Sequence, residues 1–295
     1  MKVGVTVPHN WGVEDPLQML AMGPLAERLG FDSVWVMDHV FHTGFLAERL
    51  GDRPYYHPLA VLSHLAATTT RLSLGASVLV LPYHQPVELA KYIATLDQIS
   101  GGRVILGVGA GAVAEEFAAL GVPMSDRATL TDESIRLMRE LWTSPRPAFQ
   151  SQRWDIHDVG FSPKPIQRPL PVWVGGSSPG AMKRAATLGD GWHPSSRTPE
   201  DFVAKRDEVR AMAVAAGRDP REIAMSVRVE VGVRAGADDS RTAPLWADDA
   251  EALRTLLRDY RAAEVDHVVL ALASGDIALV EAAMHTIARV LPDVR

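Results

Sequence analysis

Short apolar, β-favouring runs alternate with longer segments in which apolar residues recur every three or four positions. The short runs predict strands at Lys2–Pro8, Ser33–Met37, Leu72–Val80, Val104–Val108, Val172–Val174, Gly191–His193, Ala224–Val233 and His267–Leu272. The longer segments predict helices at Pro16–Leu29, Pro58–Thr69, Pro86–Ile99, Ala128–Trp142, Pro179–Leu188, Pro199–Ala216, Asp248–Ala263 and Asp276–Leu291. Asp15-Pro16, Gln85-Pro86 and Thr198-Pro199 are helix starts, each a capping side chain followed by proline at the first turn, and Asp276 is suited to cap the last helix. Strict alternation of strand and helix implies a parallel sheet. Eight such units in 295 residues fit an α/β fold of the (β/α)8 TIM-barrel type, with the whole chain, 1–295, as one domain. No internal repeat of solenoid length is visible.

Two connections exceed the usual few residues: 41–57, an insertion after strand 2, and 144–170, an insertion before strand 5. A shorter irregular stretch, 235–246, follows strand 7. Insertions in a barrel commonly form lids or walls. The aromatics Phe41, Phe45, Tyr55, Tyr56, Phe149, Trp154 and Phe161 favour packed over disordered insertions.

The catalytic groups of a barrel stand at the C-terminal ends of its strands. Here those ends read Pro8-His9-Asn10-Trp11, Asp38-His39, Ser77-Val78 through Tyr83-His84, Gly109-Ala110-Gly111, Gly175-Gly176-Ser177 and Trp192-His193, while strand 7 carries Arg228 and Glu230. His39 is the leading candidate for contacting a ring or moving a proton, with neighbouring Asp38 able to hold its tautomer; the alternative is a structural histidine at a strand end. His9 and His193 are alternates, and His84 fits a helix-capping role. Gly175-Gly176-Ser177, followed by Pro179 at a helix start, is either a phosphate site built from backbone N–H groups and a helix N-terminus or an ordinary strand-to-helix turn. Side-chain-free backbone at the tips of strands 4 and 5 leaves room for a flat ligand. On the opposite face, Ser100-Gly101-Gly102-Arg103 is a tight turn in which Arg103 is structural and Asp97 its expected partner.

Composition narrows the partners. The chain is 47% hydrophobic and 22% charged, with a net charge of −6 and no cysteine. No basic run marks a nucleic-acid surface. Disulfides, thiolate chemistry and cysteine-based metal sites are excluded. His9, His39 and His193 lack a carboxylate pair at recognised ligand spacing, so no metal is expected. No apolar run approaches the ~20 residues of a membrane span, and the chain opens on a strand with no signal-peptide pattern; a cytoplasmic protein is the simplest expectation.

With those residues placed, the chain resembles the bacterial luciferase-like monooxygenase superfamily, most closely the branch that uses the deazaflavin coenzyme F420. The resemblance rests on Ala26 through His39, Leu96 through Gly111, Glu115 through Pro123, Pro171 through Trp192, and the tail segment Asp266 through Leu270. It implies a TIM barrel carrying an isoalloxazine-type ring across its strand ends. It also implies a non-proline cis peptide at Ser77-Val78 behind the ring, Asp38 and His39 near the reactive ring, Gly109 and Ala110 along the ring and ribityl chain, and Gly175, Gly176 and Ser177 around the phosphate. Lys183, Arg184 and Arg197 are candidates for the coenzyme's acidic tail. Many relatives carry Trp or Glu just after the strand 4 glycines where this chain has Ala112, so the glutamate acid of the sugar-phosphate dehydrogenases is absent at that spot. The implied activity is hydride exchange between F420 and a small organic substrate, in a homodimer. The alternatives are an FMN-dependent monooxygenase and a non-catalytic flavin-binding protein. A cofactor-free hydrolase lacks a nucleophile elbow.

Overall fold

The computed structural model describes residues 1–195, 198–234 and 245–294. The expected irregular stretch 235–246 and Arg197 therefore fall almost wholly outside the described residues. In chain order the elements are β1 (Lys2–Thr6), α1 (Pro16–Arg28), β2 (Ser33–Val36), α2 (Phe45–Leu50), α3 (Pro58–Thr68), β3 (Ser73–Ala76), β4 (Leu79–Val80), α4 (Pro86–Ser100), β5 (Val104–Gly109), α5 (Ala114–Ala119) and α6 (Arg127–Thr143). They continue with β6 (Phe149–Gln150), β7 (Asp155–Ile156), β8 (Val172–Gly175), α7 (Pro179–Leu188), β9 (Gly191–His193), α8 (Pro199–Ala215), β10 (Ala224–Gly232), α9 (Ala250–Ala262), β11 (His267–Ala273) and α10 (Ile277–Val290).

The strand order β3-β2-β1-β11-β10-β9-β8-β5 closes on itself through pairing of Leu74 with Val104 and Gly75 with Ile105, and every ladder in the ring is parallel. This is the eight-stranded (β/α)8 barrel that the alternation of elements implied. Capping follows the sequence signals: Asp15, Gln85, Ser178, Thr198 and Asp276 each accept a backbone N–H in the first turn of the following helix. The main core lies between strands and helices. A second cluster of Trp35, Ile105, Trp173 and Val269 fills the barrel interior, where Trp35 stacks on Trp173 with ring centroids 5.6 Å apart. Gly75 and Gly191 make that possible, because a Cβ on either would fall 2.2 Å from Trp35 or 2.4 Å from Trp173.

Strand 3 differs from the sequence reading. It is interrupted between β3 and β4 at Ser77-Val78, which is a cis peptide bond. Periodicity also did not reveal α2 in the first insertion, the β6–β7 hairpin in the second, or the short helix α5 after β5. Tyr56 pins the first insertion by donating to the carbonyls of Val13 and Glu14, and Phe161 packs into the core. Phe41 and Phe45 depart from the expected packing and stay 39% and 54% exposed.

The Asp97–Arg103 pairing is corrected. Asp97 accepts from the backbone of Ile166 and Gln167 and from the Gln167 side chain. Arg103 instead donates to the carbonyls of Ala66, Thr69, Leu72 and Ser100 and to the Thr69 hydroxyl. Its fan of donors matches carbonyls exposed where α3 and α4 end, so a carboxylate is not needed.

Candidate active site

His39 follows β2 and lines a cavity of about 210 Å³ at the C-terminal ends of the strands. Its ring is 23% exposed, and its Nδ1 lies 2.7 Å from Oε2 of Glu116, whose side chain is fully buried on α5. The second oxygen of Glu116 accepts from the backbone N–H of Val40 (2.7 Å) and Phe41 (3.1 Å), and the Tyr83 hydroxyl donates to Oε2 at 3.1 Å. Burial alone would push the Glu116 carboxyl up. The hydrogen bonds from His39, Val40 and Phe41 outweigh it and hold the group below the usual carboxylate range. Tyr83 is pushed up by burial and by the charge of Glu116. An ionised carboxylate on Nδ1 keeps the proton on that nitrogen, so Nε2 is the atom left to face a ligand.

Asp38 does not hold His39. Its Oδ2 accepts from the Val80 N–H (2.9 Å) and lies 2.7 Å from Nε2 of His84. The peptide plane after Asp38 turns the two neighbouring side chains apart, so Asp38 anchors β4 and His84 while His39 reaches α5. His84 is likewise not the cap of α4; Gln85 is.

His9 is fully buried. Its Nδ1 lies 3.0 Å from the Val7 carbonyl, and its Nε2 lies 2.9 Å from the carbonyl and 3.2 Å from the N–H of Met37. Burial lowers its pKa. His193 is also buried, between the hydroxyls of Ser77 and Ser226 at 2.8 Å each, and stacks on Trp35. Burial, then the nearby Arg228 charge, push its pKa down to about 3. His9, His39 and His193 thus stand in three separate hydrogen-bond networks, and among the described residues no group of three or more His, Asp or Glu is placed to hold a metal ion.

The glycine tips seat protein before they seat a ligand. A Cβ on Gly109 or Gly175 would lie 2.6 or 2.7 Å from a methyl of Val78. The room beside these glycines is therefore taken by Val78, which corrects the expectation of open space there. Val78 is partly exposed, Ala110 half-buried, and Gly176 exposed with φ +102°, a conformation that favours glycine. The Gly176 carbonyl accepts from Trp192 Nε1 at 2.9 Å. Ser177 opens onto a second cavity, of about 280 Å³, with Ser195 and Lys205. Of the expected cationic groups, Arg184 is engaged by Asp132 and the Ala128 carbonyl and is not available, whereas Lys183 is exposed.

The rest of the first cavity is mixed. Asn10, Arg49, Arg228 and Glu230 give it polar groups; Trp11, Phe45 and Leu46 give it apolar walls. Tyr55 packs edge-on against His9 and His39, with its hydroxyl buried and unpaired among the described residues.

The sequence matches the luciferase-like monooxygenase family profile over residues 1–278. The chain belongs to that family. It is 32% identical over 237 residues to an F420-dependent glucose-6-phosphate dehydrogenase of Kineococcus radiotolerans, covering 76% of this chain and 68% of the relative. It is 31% identical over 233 residues to an FMNH(2)-dependent dimethylsulfone monooxygenase of Pseudomonas putida, covering 72% of this chain and 62% of the relative. The chain spans 53% to 68% of the length of these and another curated F420-dependent relative. Among solved structures, an F420-dependent secondary alcohol dehydrogenase in complex with an F420-acetone adduct superposes with a TM-score of 0.83 at 21% identity, covering 100% of this chain and 99% of the other. That likeness carries the barrel fold.

Within this family member, sequence reasoning missed Glu116, Arg49 and Lys205. A doubled glutamate after a glycine-rich strand tip was the available signal for Glu116. Arg49 had none, because it sits on a six-residue helix inside an insertion. No helix among the described residues is long and apolar enough to cross a membrane.

Proposed function

We propose that the protein is an oxidoreductase that binds the deazaflavin coenzyme F420 and exchanges a hydride between it and a small organic substrate. The observation that carries the reading is His39 at the cavity wall, with Nδ1 fixed by an ionised, buried Glu116. The coenzyme fits the residues present. Val78 on its bed of Gly109 and Gly175 offers a smooth apolar face to a flat ring, with Ala110 beside it. Ser177, Ser195 and Lys205, in a cavity that Asp201 also lines, offer hydroxyl and ammonium groups to a phosphate, with the Gly176 backbone beside Ser177. When bound, the reduced deazaflavin supplies the hydride; the protein supplies binding, orientation and proton control.

His39 is the residue that holds or delivers the proton, through Nε2, to the substrate atom that gains negative charge. Glu116 fixes the orientation of the ring through its hydrogen bond at Nδ1. Asp38 positions β4, and through it Val78. His193 positions Ser77 and, held neutral by burial, is not the acid. His9 ties the C-terminal end of β1 to that of β2 through Val7 and Met37. The relatives named as F420-dependent support the coenzyme, while Ala112, in place of the expected glutamate, argues against transferring the glucose-6-phosphate activity of those relatives to this chain.

The similarity to an FMNH(2)-dependent monooxygenase favours one second reading, reduced FMN with oxygen. Two assays on the purified chain separate them: oxidation of reduced F420 by a panel of aldehydes and ketones without oxygen, and oxygen uptake with reduced FMN. Activity in the first, lowered about 10²-fold or more by His39→Ala while the variant still unfolds cooperatively, is the expected result. Full activity of His39→Ala removes it from the mechanism; activity in the second assay alone replaces the coenzyme.

A further inference from the structure

We infer that the cavity beside His39 is built for a small carboxylate with an apolar body, and that Arg49 and Arg228 are the residues that select it. As the substrate class, this rests on the oxidoreductase reading above; as a binding site, it rests on the cavity alone.

Two guanidinium groups border the same cavity of about 210 Å³ as His39. Neither forms an ion pair among the described residues. Arg49 donates from Nη2 to the Asn10 carbonyl (3.1 Å) and lies over the Trp11 ring, 4.2 Å from its centroid; its Nε is buried with no partner among the described residues. Arg228 donates to Ser195 Oγ (3.2 Å) and to the weakly accepting sulfur of Met37 (3.2 Å). Arginine side chains are ordinarily satisfied by oxygen acceptors when buried; Arg228 instead rests on a thioether, and Glu230 is the carboxylate whose charge acts on both guanidinium groups.

Charge and shape narrow the ligand. Glu230 lines the cavity too, so the two arginines and one glutamate leave a net charge of +1, His39 aside. That matches a monoanion better than a phosphate dianion. A carboxylate accepts from a planar guanidinium in the fork geometry arginine presents. Trp11, Phe45, Leu46 and Leu272 give the remainder of the cavity a hydrocarbon wall, suited to an alkyl or aryl body. A carboxylate held by the arginines keeps that body in the cavity that His39 also lines.

Benzoate and its neutral isostere benzamide are the probes, titrated by calorimetry into the full chain and into Arg49→Met, Arg228→Met and Arg49→Lys. Methionine keeps most of the stem that packs on Trp11. The expected result is benzoate binding about tenfold or more tighter than benzamide in the unaltered chain. That preference should vanish in Arg49→Met and Arg228→Met, benzamide binding should stay similar, and Arg49→Lys should restore part of it. Equal affinities, binding of neither probe, or a preference that survives both methionine variants overturns the inference. A parallel F420 titration keeps the two readings apart: loss of F420 binding sinks the oxidoreductase reading, whereas F420 binding without benzoate selectivity sinks this one.

Discussion

Replacing Glu116 with glutamine keeps the shape of the side chain and removes its charge. Four donors converge on the two carboxylate oxygens: His39 Nδ1 and Tyr83 OH on one, the N–H groups of Val40 and Phe41 on the other. An amide has one acceptor oxygen and one NH2 group. The two backbone N–H groups cannot turn, so the amide oxygen stays with them and the NH2 faces His39 and Tyr83. The tyrosine hydroxyl can rotate to accept. His39 can accept only by giving up its Nδ1 proton, which moves the neutral ring to the Nε2–H form. A hydrogen bond to a charged group contributes about 1.5–3 kcal/mol against about 1 kcal/mol for a neutral one, so the substitution should cost on the order of 2–4 kcal/mol of folding free energy. Urea unfolding reads the stability, and nitrogen NMR shifts of the His39 ring read the tautomer. Turnover of any substrate found should drop about 10²-fold or more, because proton control is lost with the tautomer. An Nδ1–H ring in Glu116→Gln, with an unchanged urea midpoint, would refute the reasoning.

Three other outcomes are expected. His193 and His267 are both buried with pKa values pushed down to about 3, chiefly by burial; the unfolded chain therefore takes up protons first, stability is complete above about pH 6.5, and it should fall as pH drops toward 3 with a slope of up to about 1.4 kcal/mol per pH unit for each histidine, read as urea midpoints. Gly175→Ala sets a Cβ 2.7 Å from a Val78 methyl and should cost about 1–3 kcal/mol, with Val78→Ala in the same chain recovering part of it; strict additivity of the two would show that they do not touch. Arg103→Met leaves carbonyls of Ala66, Thr69, Leu72 and Ser100 without their donor and should cost about 2–4 kcal/mol, a value that an unchanged thermal midpoint would contradict.

The barrel was legible because each strand is a short apolar run and most helices announce their start, as Asp15-Pro16 and Gln85-Pro86 do. His39 was legible because it stands at a strand end, where barrel chemistry collects. Its partner was not. Adjacency suggested Asp38, but neighbouring side chains on an extended backbone point apart, and Glu116 is 77 residues away in sequence. The helix that carries it, α5, is six residues long, too short for a periodic signal. The glycines at the tips of β5 and β8 marked a close approach correctly but not its occupant. Only the fold shows Val78 filling that room, since the approach is between strands, not along one. Arg49 was hidden in an insertion whose helix has no sequence period to reveal it.

These strand ends are proposed to receive a flat, phosphorylated deazaflavin. Titrating the purified chain with F420 and, separately, with FMN, each followed by its own fluorescence, tests it most directly. Saturable F420 binding, one per chain, tighter than FMN and weakened by Lys205→Ala, is the expected result. No F420 binding, or FMN bound more tightly than F420, would contradict it.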